Sequence, residues 1–253
     1  FKLMRVVDEN SVDKVKAMKD NYKKMKLDCL VILGGNGTHK TANLLSQEGL
    51  NVVTLPKTID NDIWGTDMTF GFQSAVDIAT NVLDCIHTTA TSHGRVFIVE
   101  LMGHKAGWLT LHAGIAGGAD IILIPEIPYT IASICKAIQR RNKMGKRFSI
   151  LAVAEGAISK EDAALSKKER KAKRAAMPYP SISYKIAKEL EEATGQEIRV
   201  TVPGHFQRGG SPCPYDRTLS TRLGAAAAQQ IVRKQYGVMM ALKNNDIVPV
   251  PLS

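Results

Sequence analysis

Long hydrophobic runs and a secretion signal are both missing from this sequence of 253 residues. No apolar run approaches the length of a membrane span. Residues 1 to 5 lack the hydrophobic stretch and the cleavage site of a signal peptide. We therefore expect a cytoplasmic protein without a membrane partner.

Cysteine is scarce, and the spacing of the cysteines argues against a domain stabilised by disulfides or by zinc. The four cysteines are Cys29, Cys85, Cys135 and Cys213, and no two of them form a C-x-x-C pair. The spacing indicates neither a disulfide framework nor a zinc site. The first three lie in apolar sequence, which predicts buried free thiols.

Acidic residues are in the minority. The sequence contains 34 lysines and arginines but only 24 acidic residues, which gives a net charge of +10. This excess favours anionic partners, namely nucleic acid, acidic lipid or phosphorylated small molecules. The most basic segment covers residues 159 to 176 and contains no aromatic residue that could stack on bases. We interpret it as a solvated surface helix and expect no nucleic-acid partner.

Apolar runs alternate with helical patterns along the whole chain, and 44% of the residues are hydrophobic. A first helix is predicted up to about Lys26, with capping residues from Asp8 to Ser11. Strands are predicted at residues 29–33, 51–55, 95–100, 119–124, 148–154 and 197–202. Strands that alternate with helices form largely parallel sheets, so we predict an α/β fold with one or two such sheets.

Two polar segments follow the first two predicted strands. Gly34, Gly35, Asn36, Gly37 and Thr38 form the first, where glycines allow backbone amides to approach a phosphate closely. A tight turn is the alternative explanation for such clustered glycines.

The second polar segment runs from residue 55 to 67 and is rich in both turn formers and reactive groups. Asp60 and Asp62 alternate along what we expect to be an extended loop, so one could act as a base and the other could hold a metal. Lys57 and Thr58 could contact a transferring phosphoryl group. An ordinary loop between a strand and a helix is the alternative.

Basic residues near other strand ends fit the recognition of a sugar phosphate, because guanidinium groups bind phosphate with two hydrogen bonds. They are Arg95, Arg199, His205 and Arg208.

Five separated motifs together resemble the 6-phosphofructokinase family. They are residues 34–38, 56–62, 99–104, 154–156 and 204–212. The resemblance implies two Rossmann-like, three-layer α/β domains with mainly parallel sheets. A nucleotide-binding domain would comprise residues 1–71 and 207–253, and a sugar-phosphate-binding domain residues 72–206. Family members begin with a strand and a glycine-rich nucleotide loop, and this chain is expected to start after both.

The resemblance also implies a role for each matched residue. Asp60 would deprotonate the sugar 1-hydroxyl, Thr58 would contact phosphate, and Asp62 would help to position Mg²⁺. The sugar would lie along Met102 and Gly103, with Glu155 on its hydroxyls and with His205 and Arg208 on its 6-phosphate. Arg95 and Arg199 would reach that phosphate from a neighbouring subunit, which implies a homodimer or homotetramer. The implied reaction transfers phosphate from ATP to fructose 6-phosphate.

Some positions depart from the family pattern. Asn36 stands where the family usually has an aspartate near the metal. An amide binds a hard cation such as Mg²⁺ more weakly than a carboxylate does. His104 replaces an arginine near the transferred phosphate, and His87 with residues 146–147 matches the allosteric effector site only in part. Gly37 resembles ATP users, whereas Lys57 also occurs in pyrophosphate users. Two alternatives therefore remain, a pyrophosphate-dependent enzyme and a non-catalytic module that binds sugar phosphate.

Overall fold

A computed structural model of the protein describes residues 14 to 253. Over these residues the chain forms two compact units. The first contains the described residues up to Thr58, together with Asp62–Gly71 and Pro212–Ser253. The second contains Ile59–Asn61 and Phe72–Ser211. The second unit is therefore a nearly continuous insertion in the sequence of the first.

The helices and strands alternate through most of the described chain. The strands are β1 (Leu30–Gly34), β2 (Val52–Thr58), β3 (Phe70–Gly71), β4 (Val96–Leu101), β5 (Ile121–Leu123), β6 (Ser149–Ala154), β7 (Ile198–Thr201), β8 (Val238–Lys243) and β9 (Asp246–Pro251). The helices are α1 (Lys14–Lys24), α2 (Asn36–Gln47), α3 (Phe72–His93), α4 (Trp108–Ala116), α5 (Ile131–Lys143), α6 (Lys160–Ala163), α7 (Lys167–Ala175), α8 (Ile182–Thr194) and α9 (Pro214–Val232). The capping residues expected before α1, from Asp8 to Ser11, lie outside the described residues. None of the helices within residues 14 to 253 is both long and apolar enough to cross a membrane.

The sheet of the first unit has the strand order β1-β2-β8-β9, with β3 beside the end of β2. Strand β2 is central, and its residues Val52 and Val53 are completely buried. One side of β2 packs with Leu219 and Leu223 of α9, and the other with Ala42 and Leu45 of α2. Because β1, β2 and β8 are parallel, the polar segments after β1 and β2 leave the sheet at the same edge.

Two features of this sheet differ from the prediction. Strand β2 was predicted to end at residue 55, but it continues to Thr58 because β3 provides ladder partners for Lys57 and Thr58. The antiparallel hairpin of β8 and β9 was not predicted. Its two-residue turn, Asn244 and Asn245, has positive φ angles of 47° and 75°. Such a pair is typical of a tight hairpin turn, so the sequence did contain the signal.

The sheet of the second unit has four parallel strands in the order β5-β6-β4-β7. Strands β4 and β6 are buried along their whole length, which explains why both are apolar except for Glu100 and Ser149. The chain leaves β4 toward β5 and leaves the adjacent β6 toward β7, in opposite directions across the sheet. Ligands of α/β sheets bind beside such a reversal, outside the carboxyl ends of the strands. The parallel sheets confirm the predicted α/β class.

Two surface predictions need correction. The basic segment forms two short helices, α6 and α7, where one was expected. Cys85 is exposed, because it lies on the outer side of α3, while Ala79 and Leu83 occupy the buried side. Cys29 and Cys135 are only half-buried, although each packs against a hydrophobic core. All four cysteines are free thiols in the structure, and free thiols were predicted for the first three.

Candidate functional site

The glycine segment after β1 forms a tight junction between the strand and helix α2. A Cβ atom on Gly34 would lie 2.4 Å from Thr38 Oγ1, so no larger residue fits there without a shift. Gly35 caps α2, and its carbonyl oxygen accepts hydrogen bonds from the amides of Thr38 and His39. Asn36, Gly37 and Thr38 thus belong to the first helical turn, where a loop was predicted. The start of a helix carries partial positive charge, which favours a phosphate ligand.

An amide and a carboxylate meet beside this helix start. Asn36 Nδ2 donates to Asp62 Oδ2 at 2.8 Å and to the main-chain oxygen of Asp62 at 3.1 Å. Asp62 keeps a second carboxylate oxygen outside these two hydrogen bonds, and Asn36 carries an amide oxygen; both are oxygen ligands of the kind that Mg²⁺ prefers. No group of three or more His, Cys, Asp or Glu side chains suited to a metal occurs in the part of the chain that the structure describes. Because Mg²⁺ is usually held by one or two carboxylates plus substrate phosphates, Asn36 and Asp62 still fit it.

The end of β2 brings its polar residues to the glycine segment. A Cβ atom on Gly35 would lie 3.8 Å from Thr58 Cβ, and Lys57 is exposed one residue earlier. Beyond the strand, Asn61 has a φ angle of 49° in the left-handed region. The expected extended course from Asp60 to Asp62 is therefore wrong, because the backbone bends between them. Asp60 is half-buried and belongs to the second unit, whereas Asp62 belongs to the first.

Sequence reasoning missed His39, which ties the glycine segment to the core of the first unit. His39 Nε2 lies 3.0 Å from the Gly34 carbonyl oxygen, and Nδ1 lies 2.8 Å from Oγ1 of the fully buried Thr54. A carbonyl only accepts, so Nε2 carries the proton and Thr54 donates to Nδ1. Burial lowers the pKa of His39 by more than its hydrogen bond to Gly34 raises it. The neutral ring thus fixes the end of β1.

We expect His39 to make the free energy of unfolding depend on pH. Its pKa is lower in the folded state than the ordinary value of about 6.5, so the unfolded chain binds more protons as the pH falls. The contribution is complete above pH of about 6.5 and is lost as the pH drops toward the folded pKa. Urea unfolding at several pH values should show a smaller acid loss in His39→Gln than in the unmodified protein. His93→Gln, which alters an exposed histidine, is the control; equal effects of the two substitutions would contradict the assignment.

In the second unit, the loops after β4 and β6 are locked together at the reversal in the sheet. Glu155 Oε1 accepts hydrogen bonds from the amide of Gly103 at 3.2 Å and from the amide of His104 at 2.7 Å. The amide of Glu155 in turn donates to the Leu101 carbonyl oxygen at 2.8 Å. Met102, Gly103, His104 and Glu155 therefore form one structural group, with the His104 side chain exposed.

A 3₁₀ helix, Gly204–Arg208, follows β7 at the same edge of this sheet. Residues three apart lie on one side of such a helix, so His205 and Arg208 share its exposed side. Gln207 points inward and is 1% exposed; its Oε1 accepts from the amide of Met102 at 3.2 Å. Sequence reasoning assigned no role to Gln207, which places His205 and Arg208 beside the Met102 loop.

Arg95 and Arg199 lie at the opposite, amino-terminal edge of the second sheet. Arg95 precedes β4 and Arg199 lies near the start of β7. Glu197 bridges them, with its Oε2 2.7 Å from Arg95 Nε and its Oε1 paired with Arg199. A cavity of about 230 Å³ opens at this edge, lined in part by Arg95, Arg147 and Glu197. Within one chain, these arginines are therefore separated from His205 and Arg208.

The predicted residues thus form three groups in the structure. The first unit holds Gly34, Gly35, Asn36, Gly37, Thr38, Lys57, Thr58 and Asp62; the carboxyl edge of the second sheet holds Met102, Gly103, His104, Glu155, His205 and Arg208; its amino edge holds Arg95 and Arg199. Asp60 is in the second unit, on the segment between β2 and β3.

The chain is similar in sequence to one family of known proteins. A family model described as Phosphofructokinase matches residues 2 to 231. The chain is 61% identical over 239 residues to an ATP-dependent 6-phosphofructokinase of Spirochaeta thermophila, covering 94% of this chain and 65% of that protein. It is 50% identical to ATP-dependent 6-phosphofructokinase 3 of Bacteroides thetaiotaomicron, covering 100% of this chain and 69% of that protein. The chain thus spans about two thirds of the length of these relatives.

Solved structures with the same fold include a phosphofructokinase and a pyrophosphate-dependent phosphofructokinase. Phosphofructokinase from Saccharomyces cerevisiae superimposes with a TM-score of 0.79 at 31% identity, over 94% of this chain and 34% of the other. A pyrophosphate-dependent phosphofructokinase from Nitrosospira multiformis gives a TM-score of 0.81 at 19% identity, over 98% of this chain and 64% of the other. At that identity the second match supports the fold alone.

Proposed function

The chain belongs to the phosphofructokinase family, and on that premise we propose that the full-length protein phosphorylates the 1-hydroxyl of fructose 6-phosphate with ATP. The product is fructose 1,6-bisphosphate, and the reaction belongs to glycolysis. The observation that carries the proposal is the meeting of the α2 start with the Asn36–Asp62 pair. Helix amides for phosphate and oxygens for a cation lie together there, as phosphoryl transfer requires.

In this proposal the first unit holds the phosphoryl donor. Gly34, Gly35 and the first turn of α2 face the phosphates, and Thr58 and Lys57 contact the group in transfer. Asn36 and Asp62 would hold Mg²⁺, which when bound offsets the charge of the donor phosphates. Gly37 is exposed and a Cβ atom there would have no neighbour within 4 Å, which supports room for a nucleotide.

The second unit holds the sugar phosphate in this proposal. Met102 and Gly103 lie along the sugar, His104 lies near the transferred phosphate, and Glu155 contacts the sugar hydroxyls. Because His205 and Arg208 lie on the same side of the 3₁₀ helix, both can bind the 6-phosphate together. Asp60 removes the proton from the 1-hydroxyl as the bond from its oxygen to the γ-phosphorus of ATP forms and the bond from that phosphorus to ADP breaks.

We further propose that the enzyme works as a homo-oligomer, a dimer or tetramer, in the cytoplasm, without a nucleic-acid or membrane partner. Arg95 and Arg199 lie at the edge of the sheet away from the sugar residues. That position supports a reach toward the 6-phosphate held by a neighbouring subunit.

One assay separates the proposed function from its alternatives. The full-length protein is incubated with fructose 6-phosphate and Mg²⁺, with either ATP or pyrophosphate as donor, and formation of fructose 1,6-bisphosphate is measured. We expect turnover with ATP. Turnover with pyrophosphate alone would instead favour the pyrophosphate-dependent alternative, in agreement with the presence of Lys57 in pyrophosphate users.

A non-catalytic module is the second candidate, favoured by the amide of Asn36 in place of a carboxylate. Titration calorimetry with fructose 6-phosphate tests it on the same protein. Binding of the sugar phosphate without turnover of either donor would replace the proposed function with this one.

A further inference from the structure

The basic segment forms an ordered substructure against the second unit. Ser159 caps α6 by accepting from the amide of Asp162 at 3.1 Å. Ser166 and Glu169 form a reciprocal capping box at the start of α7, with distances of 3.3 and 2.9 Å. Such caps stabilise a short helix that buries no residue of its own. The position of α7 is therefore defined although its surface is polar.

Helix α7 has two polar attachments to the rest of the second unit, both from its last turn. Lys173 pairs with Asp162 of α6. The Arg174 guanidinium donates to the main-chain carbonyl oxygen of Glu155. Just beyond the helix, Met177 packs against the hydrophobic core of the second unit. The end of α7 is thus held beside the loop that follows β6.

Glu155 is the point where three chain segments meet. Its carboxylate holds the amides of Gly103 and His104, and its carbonyl oxygen accepts from Arg174. The next residue, Gly156, packs so closely that a Cβ atom would lie 2.3 Å from the His104 carbonyl oxygen. The backbone and the carboxylate of Glu155 therefore connect the end of α7 with the loop after β4.

We propose that Arg174 is a positioning residue for the sugar-binding loops. It fixes the peptide group that follows Glu155 and so sets the direction of the Glu155 carboxylate toward Gly103 and His104. Arginine suits this task because its planar guanidinium presents several donors in a fixed geometry, which lysine does not. The inference rests on the proposed function for its effect on substrate, but the link between α7 and the two loops is independent of it.

The first test compares Arg174→Ala with Lys171→Ala, an exposed cation of the same helix. We expect Arg174→Ala to raise the KM for fructose 6-phosphate by about tenfold, the effect of losing one hydrogen bond from a charged group, with kcat changed less than about twofold. Arg174→Lys should give an intermediate KM, and Lys171→Ala should match the unmodified enzyme. Equal KM values in Arg174→Ala and Lys171→Ala would overturn the proposal.

The second test measures the stability of the loop after β4 and does not depend on catalytic activity. Hydrogen exchange of the peptide that contains Gly103 and His104 is measured in the same full-length variants. Faster exchange in Arg174→Ala than in Lys171→Ala supports the positioning role, and equal exchange overturns it. If the unmodified protein fails to phosphorylate sugar, the proposed function fails while this comparison still decides the role of Arg174. If Arg174→Ala does not fold, Arg174→Lys provides the same comparison.

Discussion

Replacement of Asp60 with serine is expected to lower the kcat of the full-length protein by at least ~10², because a positioned base contributes about 10²–10⁴ to rate. Serine removes the carboxylate that would accept the proton from the 1-hydroxyl and keeps a small polar side chain. The affinity for fructose 6-phosphate should change only modestly, since the base acts mainly in the transition state. Steady-state kinetics and calorimetric titration with the sugar phosphate measure the two effects separately.

The matched control is Asp77→Ser, which removes an exposed carboxylate from α3 in the same unit. Its kcat should equal that of the unmodified enzyme. Retention of kcat in Asp60→Ser would remove Asp60 from the catalytic role, whatever the effect on binding.

Replacement of Gly37 with aspartate should lower kcat/KM for ATP by about 10², because a carboxylate beside the nucleotide phosphates adds repulsion between like charges. The substitution should not disturb folding, since Gly37 lies in the first turn of α2 and a Cβ atom there meets nothing within 4 Å. An acidic residue in a first helical turn is even favourable to the helix. Kinetics with ATP, together with thermal unfolding, measure the two expectations.

Gly37→Ala separates charge from size at this position. It fills the same space near the backbone without adding charge, so it should retain more ATP turnover than Gly37→Asp. A parallel assay with pyrophosphate should show a smaller loss in Gly37→Asp, because pyrophosphate has no α-phosphate to meet the carboxylate. Equal losses with both donors would show that Gly37 does not discriminate between them.

The fold was predictable from sequence where local pattern and tertiary structure agree. Strands β4 and β6 are mostly apolar because they are buried on both faces, and the sequence shows this directly. The extension of β2 to Thr58 was not predictable in this way, since it depends on pairing with the two residues of β3. The bend at Asn61 likewise has no periodic signal, because a single left-handed residue interrupts no hydrophobic pattern.

The site was predictable only as far as motifs reach. The motif residues were found because the residue type alone, whether glycine, carboxylate or arginine, indicates which chemistry it can perform. His39, Gln207 and Arg174 were not found, because their partners are set by tertiary structure. His39 meets Thr54 across two elements, and Gln207 reaches the amide of Met102 through the turn of the 3₁₀ helix. The roles proposed for the motif residues stay predictions until the substitutions are measured.

The insertion of the second unit within the sequence of the first has a consequence for the order of folding. Strand β2 pairs with β8, Val53 beside Val238, so the first sheet needs a contact between distant parts of the chain. The second sheet uses only strands from within the insertion. Because β8 is synthesised after the whole insertion and domains form as units during synthesis, we expect the second sheet to form on the ribosome before the first. Strand β2 then lacks its β8 neighbour, with an apolar edge uncovered, until the residues of β8 have been made.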